Sequence, residues 1–261
     1  MEPRRVALTI MPTTTSYTVN LTMSTATVQG LLNEGMQLIA FSAVQGTDYS
    51  ALPVVWSVSA TYGNNWSITW STTYEAYASS SAISSGSMIQ IGTSQPIAVG
   101  QTLSVQAGPI SNTPTIGTPS FITITNTTTN QYSCGIEQSV NTGSGAAFAP
   151  ICVYPLYGLN TQTIVPLAEI VLLFTTSPLK VGEAWSGAPL PAGPMVALDA
   201  TSSTALWITA AGQTSPLSVQ YDINTGWSWG GANWAETIAL STLVTVLIQT
   251  TPWSTLTKEM R

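Results

Sequence analysis

Ten short runs rich in β-branched and aromatic residues recur along this chain, separated by clusters of glycine, proline, asparagine and serine, a pattern that specifies strands. They are Leu38 to Val44, Val54 to Thr61, Trp66 to Trp70, Tyr74 to Ala78, Met88 to Ile91, Phe121 to Thr125, Ile170 to Thr175, Ala205 to Thr209, Leu217 to Tyr221 and Leu243 to Thr250. Runs so spaced predict an all-β chain, a single antiparallel β-sandwich or barrel-like domain over residues 17–252, with 1–16 a flexible N-terminus and 253–261 a tail. The best helical pattern, near Val28 to Leu38, is interrupted by Gly30, Asn33 and Gly35. Ala107 to Ser120 and Trp185 to Pro194 carry several prolines and glycines and read as exposed loops. An echo between Val54 to Trp70 and Leu217 to Trp229, each an alternating strand leading through an asparagine turn to two tryptophans, leaves two related halves open.

Charge is scarce. Only 6% of residues are Asp, Glu, Lys or Arg, against about 25% in an ordinary soluble domain, so serine, threonine, asparagine and glutamine must form most of the surface. Lys180 is the only basic residue between Val6 and Thr257. No basic patch for phosphates can be assembled from it, which argues against nucleic acid and against anionic lipid. No apolar run is long enough for a transmembrane helix, and the Met1 to Met11 segment is a poor signal peptide because Val6 to Ile10 is short and interrupted by Thr9.

Cys134 and Cys152 either close a disulfide loop, worth roughly 3 kcal/mol by chain-entropy reasoning, or remain two reduced structural thiols. Asn20, Asn65 and Asn126 each open an Asn-x-Ser/Thr sequon, a candidate glycosylation site. Together these features favour a secreted chain in an oxidising compartment.

The chain has no histidine, which removes the usual general base near neutral pH and the commonest transition-metal ligand. Two cysteines without histidine make a zinc site improbable, and there is no glycine-rich phosphate loop, so neither metal nor nucleotide cofactor is expected. Carboxylates are scattered through the chain; any such scatter permits a glycosidase-like pair without specifying one.

The segment Tyr221 to Trp234 concentrates the binding chemistry: Tyr221, Asp222, Asn224, Trp227, Trp229, Asn233 and Trp234. Trp227 and Trp229 share a strand face, but Gly230 and Gly231 then break the alternation, so at least one of the three tryptophans is expected outside the core. Exposed rings beside amides suit a sugar face or, through cation–π attraction, a choline headgroup. The competing reading is a tryptophan-rich hairpin packed on the core. A second aromatic cluster, Trp66, Trp70, Tyr74 and Tyr77, reads mainly as core, with one of the two tyrosines accessible because they fall on opposite strand faces.

Tyr221-Asp222-Ile223-Asn224 followed by Asn233-Trp234 resembles the signature strand of the actinoporin-like cytolysins and of the fungal fruit-body lectins that share their β-sandwich. The match covers under a tenth of the chain. The resemblance implies choline or glycan binding by Tyr221, Trp227, Trp229 and Trp234. It does not extend to pore formation, since Pro12 and Thr13 to Thr15 make a poor N-terminal helix and basic surface residues are lacking.

Three functions therefore compete. The first is a lectin- or cytolysin-like module binding a neutral glycan or lipid headgroup. The second is a cofactor-free pocket enzyme of the hetero-Diels–Alderase or dehydratase type found in fungal natural-product pathways, working by preorganisation. The third is a structural or coat protein with neutral assembly faces. A homodimer is compatible with all three.

Overall fold

The computed structural model describes residues 14–48, 50–106, 113–186 and 204–250. Within them the chain is all-β, with two mixed sheets of nine strands each around a common core. The first sheet comprises β1 (Ser16–Thr22), β3 (Leu52–Pro53), β5 (Asn65–Ser79), β6 (Ser94–Ile97), β10 (Tyr132–Asn141), β11 (Ala147–Pro150), β12 (Cys152–Leu156), β15 (Leu217–Asp222) and β16 (Gly226–Ser228). The second comprises β2 (Gln37–Gly46), β4 (Ser57–Ser59), β7 (Gln101–Val105), β8 (Thr115–Ile116), β9 (Ile122–Asn126), β13 (Thr161–Thr175), β14 (Thr204–Thr209), β17 (Ala235–Ala239) and β18 (Ile248–Thr250). The expectation of purely antiparallel pairing is corrected: β1 with β15, β7 with β9 and β18 with β2 run parallel. None of these pairs is joined by a tight hairpin, so no turn imposes the antiparallel direction.

Each sheet is built on one 15-residue strand. β5 pairs along one edge with β10, while its other edge serves β1 as far as Ser71 and β6 from Tyr74 onward. β13 pairs along one edge with β2, and its other edge serves β9 as far as Ile164 and β14 from Glu169. Both spines have an irregular register, between Gln138 and Val140 on β10 opposite β5 and between Pro166 and Ile170 on β13. Pro166 is tolerated because it falls at such an irregularity, where a missing N–H costs little.

Between the sheets lies the main core, with Trp56, Trp70, Ile68, Ile122, Ile170 and Leu172 almost wholly buried. The outer faces are covered as well. Phe41, Val55, Trp185, Leu243 and Leu247 pack outside the second sheet, and Val54, Tyr77, Ile89 and Val153 outside the first. That double covering explains why β2 is buried at nearly every position instead of alternating. It also corrects the expectation that one of Tyr74 and Tyr77 is accessible: they do face opposite ways, but each meets a core. Gly135 is needed where these layers meet, because a Cβ there would stand 2.1 Å from the Cys152 carbonyl oxygen, which accepts the Tyr77 hydroxyl at 2.7 Å.

Several predicted elements change. Trp66 to Trp70 and Tyr74 to Ala78 are one continuous strand. Val54 to Thr61 shortens to β4, with Val54 in an isolated bridge to Ala184, and Met88 to Ile91 forms only an isolated bridge from Met88 to Glu183. Leu243 to Thr250 begins as a helical turn, α2 (Leu243–Leu247), because Leu243 and Leu247, one turn apart, both reach the outer core; only Ile248–Thr250 is strand. The helix α1 spans Thr25–Asn33, starting before the predicted segment: Ser24 caps it by accepting the Thr27 N–H at 3.1 Å, and Gly35, at φ 68°, follows its end. The two echoing segments are not equivalent in the fold, since Val54 to Trp70 crosses from β4 in one sheet to β5 in the other whereas β15 and β16 form a hairpin. Most of the loop from Trp185 to Pro194, residues 107–112 of the other predicted loop, and the tail lie outside the described residues.

The disulfide reading is corrected too. Cys134 and Cys152 are free and buried. β10 and β12 place Cys134 opposite Tyr154, which leaves Cys152 on the diagonal instead of directly across. Burial raises both thiols, Cys152 to about 12 and Cys134 well above its ordinary value. Among the sequons, Asn65 is exposed and Asn20 half-buried, but the Asn126 amide is buried and donates to the carbonyls of Asn130 and Tyr157, so it has no room for a glycan. Among the described residues no helix is long and apolar enough to cross a membrane.

Candidate functional site

The Tyr221 to Trp234 segment folds first as a hairpin and then as a crossing between sheets. Asp222 Oδ1 accepts the N–H groups of Asn224 (2.9 Å) and Thr225 (3.3 Å), and Gly226, opposite Asp222 in the register, takes φ 78°. These bonds hold the Asp222 carboxyl below the usual range, and Oδ2 also receives the Thr27 hydroxyl of α1 at 3.3 Å. The Asp-x-Asn-Thr-Gly run is thus turn chemistry that also ties the hairpin to a helix. Gly230 and Gly231, both at φ 77°, turn the chain out of β16, and the Trp229 indole N–H closes this turn on the Ala232 carbonyl at 2.7 Å.

The rings of this segment divide. Tyr221, Trp227 and Tyr62 are buried and, with the half-buried Phe174, make a close-packed aromatic box. Phe174 lies 4.6 Å from Tyr221 and 5.6 Å, stacked, from Trp227, while Tyr62 meets it edge-on at 5.5 Å. Burial pushes the Tyr62 phenol up to about 12 and raises Tyr221. Trp229 and Trp234 lie half-buried against the core, and only Asn224 and Asn233 are fully exposed. The predicted residues are therefore neighbours in space, but only Tyr221 and Asp222 border a cavity, a hollow of about 380 Å³ shared with Thr22, Ser24, Gln220 and Ser228; the three tryptophans and two asparagines are not part of its lining.

A larger cavity, with aromatic walls, lies elsewhere. A groove of about 890 Å³ opens between the two sheets and is lined by Tyr17, Trp70, Tyr74, Phe148, Val99 and Leu167 together with threonines and glutamines. Its position follows from the topology. On β5 the edge between the ends of β1 and β6, at Thr72 and Thr73, faces it; on β13 the irregular stretch Pro166 to Ala168, between the ends of β9 and β14, faces it from the other sheet. Both spines thus change partner at one place, and the sheets part there. Irregularities of this kind are common beside functional sites.

Phe148 and Val99 are 42% and 47% exposed, so an apolar surface is available on the groove's rim. Trp70 forms its floor, packed against Tyr17 at 5.4 Å and edge-on to Trp56 at 6.2 Å. Burial and the neighbouring Tyr17 raise the Tyr74 phenol well above its ordinary value. Gln138 is fixed from below, accepting the Ser42 hydroxyl at 2.9 Å and donating to the Ser71 carbonyl at 3.1 Å. The secondary cluster predicted from sequence contributes Trp70 and Tyr74 here; Trp66, bonded to Ser59 at 3.1 Å, and Tyr77 are purely core.

Glu75 is the one charged residue among those lining the groove. Its partner across the strands is Glu137, and the Ser94 hydroxyl donates to Glu75. Burial raises the Glu137 carboxyl, the Ser94 hydroxyl offsets part of that, and the Glu75 charge adds to it. One carboxyl of the pair therefore keeps its proton more readily than an ordinary glutamate. Among the described residues no cluster of metal-ligating side chains forms.

Sequence reading missed Tyr17, Phe148 and Pro166 to Ala168. Only Pro166, an interruption in an apolar run, left a trace, and it marked a break without saying what opened there. Compared with protein-family models, curated proteins and solved structures, the chain matches none.

Proposed function

We propose that the protein is a binding module whose principal site is the groove between the two sheets, taking a neutral small molecule with an apolar, ring-sized body and a few hydrogen-bonding groups. The observation that carries this reading is the groove itself: about 890 Å³, apolar and aromatic on its walls, with a single carboxylate and no cation. Sites for small molecules have this character. The lack of a cation disfavours anionic ligands, a phosphocholine headgroup included. The expectation of a glycan or choline held by Tyr221 to Trp234 gains less support, since its rings are engaged in the core or in a turn. The test uses Nile red, a neutral fluorescent probe, displaced by a panel of neutral aromatic and terpenoid metabolites. Phe148→Ala should weaken probe binding by about tenfold; unchanged affinity would place the probe elsewhere.

The position of Glu75 on the groove wall favours one alternative, a cofactor-free pocket enzyme in which this carboxylate accepts a proton or hydrogen bond from the bound molecule. Turnover of a metabolite from the panel that Glu75→Gln abolishes, with its binding retained, would select that reading. Secretion and pairing of chains remain compatible with either.

A further inference from the structure

A second cavity, of about 480 Å³, lies where β10 begins and β12 ends, and it differs from the inter-sheet groove in chemistry. Its lining includes Ser50, Ser80, Ser81, Gln131 and Tyr157, and none of the residues that line it is charged. Tyr157 keeps 47% of its surface exposed. The wall thus combines an exposed tyrosine with serine hydroxyls and one amide, interspersed with the apolar Ala82, Ile83 and Pro155.

Three buried polar side chains hold this wall in place. Asn126 donates to the Asn130 carbonyl at 2.7 Å and to the Tyr157 carbonyl at 3.1 Å, locking the two turns that carry Gln131 and Tyr157. Gln162 donates to the Pro155 carbonyl at 2.7 Å and to Asp48 Oδ2 at 3.1 Å, while Asp48 Oδ1 accepts the Ser50 N–H at 2.8 Å. Ser133 donates to the Ser81 carbonyl at 3.0 Å. Gly158 is required beside Tyr157, since a Cβ there would stand 2.4 Å from the Thr129 carbonyl oxygen. A surface held from beneath on every side loses little entropy when a ligand binds.

We infer that this cavity is a second binding site, for an uncharged mono- or disaccharide. A pyranose presents a C–H face that packs on a tyrosine ring and a rim of hydroxyls that both donate and accept, which serine and glutamine side chains complement. The absence of cations in the lining disfavours acidic sugars. Tyr157 supplies the stacking face and Gln131 the directional hydrogen bonds. The assignment is independent of the inter-sheet groove and of what that groove binds.

The experiment follows the backbone and side-chain resonances of the isotope-labelled full chain during titration with glucose, galactose, mannose, N-acetylglucosamine, cellobiose and lactose. At least one sugar is expected to shift Ser80, Ser81, Gln131 and Tyr157 together. Tyr157→Phe should keep that affinity within about twofold, and Tyr157→Ala should lose about tenfold or more, a ring-stacking effect. Phe148→Ala, in the other groove, should leave it unchanged. No response at these residues to any of the sugars, or full affinity in folded Tyr157→Ala, would overturn the assignment.

Discussion

The close-packed box of Tyr62, Phe174, Tyr221 and Trp227 and the open groove of Tyr17, Trp70, Tyr74 and Phe148 are made from the same residue types between the same two sheets, yet one is packed into the core and the other borders a cavity of about 890 Å³. Composition does not separate them. In the box, β15 and β16 lie in regular register and Phe174 of β13 meets their rings directly. At the groove the two spine strands change partners, the sheets part, and similar rings are left with space beside them. In this fold the larger aromatic-lined cavity opens where pairing is interrupted, not where aromatics are most concentrated.

Replacements should sort by region, beginning with the largest effect. Trp227→Ala empties the box and is expected to cost about 3–5 kcal/mol of stability, read as a lower urea midpoint, with Nile red affinity of the folded fraction unchanged. A parallel loss of probe affinity would show that box and groove form one unit. Asp222→Ala should lower the midpoint by less, since it removes turn and helix contacts without opening a cavity, and Asp222→Asn should restore much of it by keeping an acceptor oxygen. A dependence on pH sharpens the contrast further. Tyr62 titrates near 12 in the folded chain against 10.0 for a free phenol, so the unfolded chain loses this proton first. The associated stability is fully present below about pH 10 and is lost as pH rises towards 12. Urea midpoints should fall over that interval, and Tyr62→Phe should reduce the fall. The smallest stability effect belongs to Phe148→Ala, within about 0.5 kcal/mol because the ring is already exposed, although this replacement has the larger effect on binding. A loss above about 2 kcal/mol would make Phe148 a core residue and remove the distinction.

The all-β class was legible because β-branched and aromatic runs between turn residues have few alternatives, and most run positions proved to be strand: Leu38 to Val44, Phe121 to Thr125, Ala205 to Thr209 and Leu217 to Tyr221 all lie within strands or overlap them closely. Where both faces are covered, alternation disappears, and a short run such as Leu243 to Leu247 then reads alike as helix or strand. Asp222 looked like a ligand group because an oxygen that can hold a ligand can equally hold a backbone N–H two residues on. Asn126 looked like a glycan acceptor because Thr128 completes a sequon, and its amide is instead a buried clamp.

By itself, the sequence determined that the chain is strand-built, nearly uncharged, without histidine and short of basic residues, because these follow from residue identities and local periodicity. Only the tertiary structure decided which aromatics are close-packed and which line a groove, that Cys134 and Cys152 lie on a diagonal as free thiols, and that Glu75 faces Glu137. Those outcomes depend on register and on where a long strand changes partner, which are set by contacts between segments far apart in the chain.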